Sequence, residues 1–154
     1  MNEPAPHVMV VEARFYEDVA DALLEGAVAA LDAAGATYET VVVPGALEVP
    51  AAIAMALQAE RAQGSRRFDG YVALGCVIRG ETTHYDYVCG ESARGLQTLA
   101  IDHALPVANG ILTCENRDQA MDRARTDRRD KGGVAARACL EMIVLKASLG
   151  PSAS

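Results

Sequence analysis

Apolar positions along the chain keep two alternating periods. Val8-Met9-Val10-Val11 is a continuous apolar run and reads as a first buried strand. From Glu17 the period turns helical. Val19, Leu23, Ala27 and Leu31 fall four apart and stack on one face, and Gly35 is placed to end that helix. Thr40-Val41-Val42-Val43 is a second, β-branched strand closed by Pro44-Gly45, and an Ala-rich helix starts near Pro50. The polar run Gln63 to Arg67 breaks that helix. Gly70 to Ile78 is a third strand, apolar on both faces as a central parallel strand is. Thr83 and Asp86 have capping-box spacing, so a helix is expected from Thr83 towards Ala104. A fourth strand runs from Pro106-Val107 to Thr113. Asn116 with Gln119 opens a short helix. From Lys131 a last helix places Ala136, Leu140, Ile143 and Ala147 on one face.

Strands alternating with helices of this length predict an α/β three-layer sandwich. A central four-stranded parallel sheet is flanked by helices, flavodoxin-like in type. The expectation is one domain over residues 1–154, with 1–7 and 149–154 as flexible ends. Ligands of such sheets collect beyond the carboxyl ends of the strands. The segments to watch are therefore Arg14-Phe15-Tyr16, Pro44 to Pro50, Cys76 to His84 and the end of the fourth strand.

Composition narrows the function classes. Hydrophobic residues make up 51% and aromatics only 5%, which suits small side chains packed between helices and a sheet. A net charge of −7 repels a phosphate backbone and argues against nucleic acid as a partner. The four cysteines lie far apart with no Cys-x-x-Cys pair and no histidine at zinc-ligand spacing. They read as small core residues in a reducing compartment, and no bound metal is expected. The N-terminal residues lack the basic flank and apolar stretch of a signal peptide, and no run of about 18 apolar residues occurs, so no membrane span is expected. The expected location is the cytoplasm.

Three phosphate or nucleophile motifs are excluded. The first strand is not followed by Gly-x-Gly-x-x-Gly. Gly75 to Gly80 has the outer glycines of a P-loop, but Glu81 stands where the lysine must be. Gly90 to Gly95 is one residue too long for a nucleophile elbow, which leaves Ser92 an ordinary helix residue. What remains is a strand end running into Arg79-Gly80-Glu81-Thr82-Thr83-His84. The N–H groups opening the next helix point at any anion bound there, and the helix dipole helps hold it. His84 would stand beside that anion, with an imidazole able to pass protons either way near neutral pH. The alternative is a histidine that only satisfies its own backbone.

Gly75-Cys-Val-Ile-Arg-Gly-Glu-Thr-Thr-His-Tyr-Asp-Tyr-Val-Cys89 closely resembles the central motif of the lumazine synthases. Pro44-Gly-Ala-Leu-Glu-Val-Pro50 and Arg14-Phe15 resemble two further motifs. Leu24-Glu-Gly-Ala27, Gly110-Ile-Leu-Thr113, Asp130-Lys-Gly132 and Glu141-Met142 extend the match over nearly the whole chain, in order and spacing. The resemblance implies a transferase of riboflavin biosynthesis, acting at the penultimate step. It would condense 5-amino-6-(D-ribitylamino)uracil with 3,4-dihydroxy-2-butanone 4-phosphate to 6,7-dimethyl-8-ribityllumazine, with no metal and no redox cofactor.

The same resemblance assigns roles. Phe15 packs on the uracil ring, Ala46, Leu47 and Glu48 line the ribityl chain, and Cys76, Val77 and Ile78 meet the pyrimidine edge. Glu81 and Thr82 present N–H groups to the phosphate, and His84 shuttles protons. Arg123 binds phosphate, and Lys131 and Asn109 complete the pyrimidine site; these three come from a neighbouring subunit. A homopentamer is then the minimum active unit, in some members built further into decamers or icosahedral shells. Arg125, Arg128 and Arg129 alternate with aspartates and read as solvated surface.

The chain departs from the family at Asn109, where many members carry an aromatic ring, at Leu47 (often Phe) and at Tyr16 (often Asn). Those departures keep open a catalytically weak paralogue that holds flavin or lumazine or builds a shell. An unrelated phosphate-accepting switch domain is disfavoured, since the first strand ends in Glu12-Ala-Arg-Phe and the third without any Asp.

Overall fold

A computed structural model describes residues 4–150. Its strands are β1 (His7–Ala13), β2 (Thr37–Val43), β3 (Gly70–Ile78) and β4 (Val107–Cys114). Its helices are α1 (Glu17–Ala33), α2 (Val49–Gln63), α3 (His84–His103), α4 (Arg117–Ala124) and α5 (Lys131–Ser148), with a 3-10 turn, Ala46–Glu48, leading into α2. All strand pairs are parallel, in the order β2-β1-β3-β4. This is the three-layer α/β sandwich expected. The chain direction across the sheet reverses between β1 and β3, so the loops leaving those strands part and open a crevice.

Period-two alternation sorts the core into two halves. Val8 and Val10 of β1, Val72, Leu74 and Cys76 of β3, and Leu112 and Cys114 of β4 face α1, α4 and α5. Met9, Val11 and Ala13, with Tyr71, Ala73 and Ile111, face α2 and α3. The four α1 residues Val19, Leu23, Ala27 and Leu31 are all buried. Gly35 takes φ +73° after α1. Its N–H reaches the Asp32 carbonyl at 3.0 Å and that of Ala36 reaches Leu31 at 3.0 Å, a Schellman ending.

Several boundaries differ from expectation. β2 starts at Thr37, three residues early, because its polar first half is used. The His7 ring lies between the Thr37 hydroxyl and the Glu39 carboxylate, 2.7 Å from each, and Arg67 also pairs with Glu39. His7 therefore belongs to β1 and not to a loose end spanning residues 1–7; residues 1–3 and 151–154 lie outside the described residues. On α5, Ala136, Leu140 and Ile143 pack on the core, but Ala147 is exposed because the last turn runs past the sheet. Cys76, Cys114 and Cys139 are buried as expected, whereas Cys89 is only half-buried. No helix among the described residues is long and apolar enough to cross a membrane.

The helices α1 and α5 approach closely through glycine. A Cβ on Gly132 would overlap the Leu23 carbonyl oxygen and stand 2.8 Å from its carbonyl carbon. One on Gly26 would overlap the Asp130 carboxylate, which caps α5 by accepting from the Gly133 N–H at 3.3 Å. This contact fixes the start of α5, and with it Lys131.

Candidate active site

Two hollows gather most of the residues singled out above. The first, of about 410 Å³, lies at the carboxyl ends of β1 and β3 and is lined by Phe15, Ala46, Leu47, Glu48, Cys76, Val77, Ile78 and His84, with Tyr16, Pro44, Gly45 and Val88. Each element delivers its part through its ending. β1 releases Phe15, whose ring is 75% exposed and is met edge-on by Tyr16 at 5.0 Å between centroids. β2 ends at Pro44-Gly45, and the 3-10 turn then holds Leu47 and Glu48 outward. Val88 stands one helical turn beyond His84 on the same face of α3; four-residue spacing was the signal that could have found it.

The second hollow, of about 450 Å³, lies along the free edge of β4 beside the start of α5. Asn109, Arg123 and Lys131 line it together with Val134, Ala135 and Ala138. The two hollows share no lining residue. Within one chain the structure does not bring the Asn109, Arg123 and Lys131 group to His84 and Phe15.

Charge distinguishes the second hollow from its surroundings. Arg125 pairs with Asp127 at 2.8 Å, Arg129 with Asp122 at 2.8 Å, and Arg128 with Asp122 at 3.7 Å. Among the described residues Arg123 and Lys131 have no carboxylate partner. Arg123 donates to the Gln119 carbonyl at 3.2 Å and is half-buried. The Asn109 carbonyl turns back to accept the Ile111 N–H at 2.9 Å, which occupies one donor of the open β4 edge. Its amide nitrogen stays available to a ligand.

Glu81 and Thr82 line neither hollow and stand exposed in the loop entering α3. The expected capping box is not formed. Thr83 is the N-cap residue with φ −73°, ψ −3°, and its side chain bonds no backbone N–H. An N-cap needs extended backbone for its hydroxyl to swing over the helix end, and Thr83 is already helical. Among the described residues the side-chain acceptor at this helix start is weakly engaged: the Thr82 hydroxyl accepts from the His84 N–H at 3.4 Å. No backbone carbonyl among the described residues accepts from Glu81, Thr82 or Tyr85. The start of α3 thus keeps open donors, which is what an anion needs.

The thiols around this region are not activated. Burial, with Cys114 beside it, pushes Cys76 up to about 12; burial alone carries Cys139 to about 12 and also raises Cys89 and Cys114. Thiolate is the reactive form, so native protein at pH 8 should react slowly with a soluble disulfide reagent, at Cys89 first, and fully only after unfolding. Rapid titration of all four thiols in native protein would contradict this. The shifts also set an alkaline limit. A folded-state value above the ordinary 9.0 stabilises fully below about pH 9 and is lost as pH rises through about 12.

The chain matches the family model described as 6,7-dimethyl-8-ribityllumazine synthase over residues 5–147. It is 61% identical over 145 residues to a protein of Agrobacterium fabrum named 6,7-dimethyl-8-ribityllumazine synthase, covering 94% of this chain and 97% of that one. It is 62% identical over 144 residues to one of Rhizobium meliloti named 6,7-dimethyl-8-ribityllumazine synthase 1, covering 94% of each. A Sphingopyxis alaskensis protein with the unnumbered name is 57% identical over 144 residues, covering 94% of this chain and 97% of that one.

Proposed function

This chain belongs to the 6,7-dimethyl-8-ribityllumazine synthase family, and from that premise we propose that its two hollows are the halves of one active site, closed across a subunit boundary. The proposed reaction joins 5-amino-6-(D-ribitylamino)uracil to 3,4-dihydroxy-2-butanone 4-phosphate. The observation that carries the reading is the division of labour. One hollow holds the aromatic platform, the carboxylate and the imidazole, while the other holds two cations, Arg123 and Lys131, that pair with no carboxylate among the described residues.

The chemistry follows from that inventory. The exposed Phe15 ring offers a face to the uracil, and Glu48 offers acceptors to the ribityl hydroxyls. Arg123 grips phosphate oxygens with two parallel donors while the open N–H groups at Glu81 and Thr82 take the remainder. The 5-amino group attacks the ketone, and loss of water leaves an imine. His84 takes the proton from the carbon next to the imine as phosphate leaves. The enol left behind tautomerises to a ketone, the ribitylamino nitrogen attacks that new carbonyl, and a second water departs. Bonds made and broken balance without an external electron, so the protein must supply proximity and proton transfer. Proximity contributes more, since a well-placed acid–base group accelerates a reaction only about a hundred- to ten-thousand-fold.

A site split between two copies needs a contact that joins the two different hollows, and a heterologous contact of that kind forms a ring where its rotation closes. The pentamer is the ring proposed here, with Val134 beside the second hollow and Phe15 and Leu47 in the first as its exposed apolar contacts. The cytoplasm is the compartment proposed, in keeping with four unpaired cysteines. No observation favours a binding-only relative. Purified protein given both substrates and no added metal is expected to form the lumazine and release one phosphate per product. Tight lumazine binding without turnover would overturn the reading.

A further inference from the structure

The loop that enters α3 lacks the cap its sequence promised, yet it must hold its open N–H groups in register with His84. One side chain spans it. The Arg79 backbone N–H donates to the Cys114 carbonyl at 2.9 Å, which ties the end of β3 to the end of β4. Its guanidinium then makes three contacts. Nε donates to Glu115 Oε2 at 2.7 Å, Nη1 stands 3.6 Å from Asp86 Oδ1, and the plane lies 4.3 Å over the centre of the Tyr85 ring. Asp86, the residue expected to close a capping box, is turned to Arg79 instead. Tyr85 is anchored at its far end beside Cys89 and Thr113, and burial there raises its hydroxyl above the usual phenol range. Glu115 is itself held, its N–H donating to the Gln119 side chain at 2.8 Å.

We infer that Arg79 is a positioning residue for the anion cradle: it braces the first turn of α3 against the end of β4, and so sets where the Glu81 and Thr82 N–H groups and His84 stand. This rests on the functional reading above. Each single contact is exposed and weak by itself. Their value is geometric, because a planar fork that stacks on one residue while bridging two carboxylates admits one arrangement of the turn. Arg79 is committed to these partners and lines neither hollow, so it acts through the loop.

The test compares wild type, Arg79→Lys and Arg79→Ala by equilibrium binding of inorganic phosphate and by steady-state rates with each substrate varied. Misplacing a reacting group by an ångström costs up to about a hundredfold, so Arg79→Ala should weaken phosphate binding and raise KM for the phosphorylated ketone together by about tenfold or more. KM for the pyrimidine should stay within about twofold, as expected when only one substrate loses its contacts. Arg79→Lys should recover part of the loss, since it keeps the charge but cannot bridge and stack at once. If Arg79→Ala fails to assemble, Tyr85→Leu removes only the stacking face and should show the same split at smaller size. An assembled variant with wild-type phosphate binding and KM, or an equal loss for both substrates, overturns the inference. Phosphate binding needs no turnover. A wild-type protein that binds phosphate in an Arg79-dependent way but makes no lumazine therefore fails the functional reading and leaves this one standing.

Discussion

Gly132→Ala is expected to unfold or disassemble the protein under conditions where wild type is fully folded. Two effects of opposite sign compete at this position. Alanine is favoured over glycine inside a helix by about 1 kcal/mol. Against that, the new Cβ would overlap the Leu23 carbonyl oxygen, which is backbone in the middle of α1 and cannot turn aside. Relief requires α5 to lift from α1, opening the face that carries Ala135, Ala136 and Cys139 into the core. Overpacking of this kind costs about 1–3 kcal/mol where side chains can yield and more where they cannot, against a total stability of about 5–15 kcal/mol. The clash wins. Gly90→Ala is the matched contrast, since nothing lies within 4 Å of its Cβ and α3 is exposed there. It should stabilise by about 0.5–1 kcal/mol. Thermal unfolding of the two variants beside wild type reads both signs, and a Gly132→Ala protein as stable as Gly90→Ala contradicts the packing account.

His84→Ala is expected to lower kcat by about a hundred- to ten-thousand-fold with little change in either KM, while the assembly stays intact. The side chain is exposed at the mouth of the first hollow, so its removal leaves no buried cavity. Arg123→Ala should behave differently. Hydrogen bonds to charged groups contribute about 1.5–3 kcal/mol, so its loss should appear as about a ten- to hundredfold rise in KM for the phosphorylated ketone. Rates measured over both substrates separate the two patterns. A His84→Ala protein with wild-type kcat removes the proposed proton carrier.

How much of this is legible in the residues depends on whether the signal is local. β3 is legible to its ends because a strand covered on both faces is apolar at every position. The Gly35 ending and the Asn116 cap, whose side chain accepts from the Gln119 N–H at 2.9 Å, are decided within a few residues. The Thr83 cap fails because spacing does not reveal backbone angles, and here Arg79 holds the turn from outside it. The first half of β2 is hidden because it faces His7 and Arg67, polar partners that lie far away in sequence. Eight of the site residues fall together because they follow the endings of adjacent strands, which sheet topology makes predictable. Their separation from Asn109, Arg123 and Lys131 leaves no trace in hydrophobic period; only the family resemblance points to a neighbouring subunit. The pairing that distinguishes Arg123 from Arg125, Arg128 and Arg129 becomes visible only with side chains placed.

The most direct measurement mixes two crippled proteins. His84→Ala damages one half of the site and Arg123→Ala the other, and with the phosphorylated ketone held well below the raised KM each alone should show little turnover. Unfolded together in equal amounts and reassembled, they should regain activity. In a ring whose sites each join two chains, about a quarter of the boundaries receive both intact halves. Recovery to roughly that fraction of the wild-type rate is the predicted result. Activity no higher than the average of the two parents would mean that catalysis resides within a single chain, contrary to the split site.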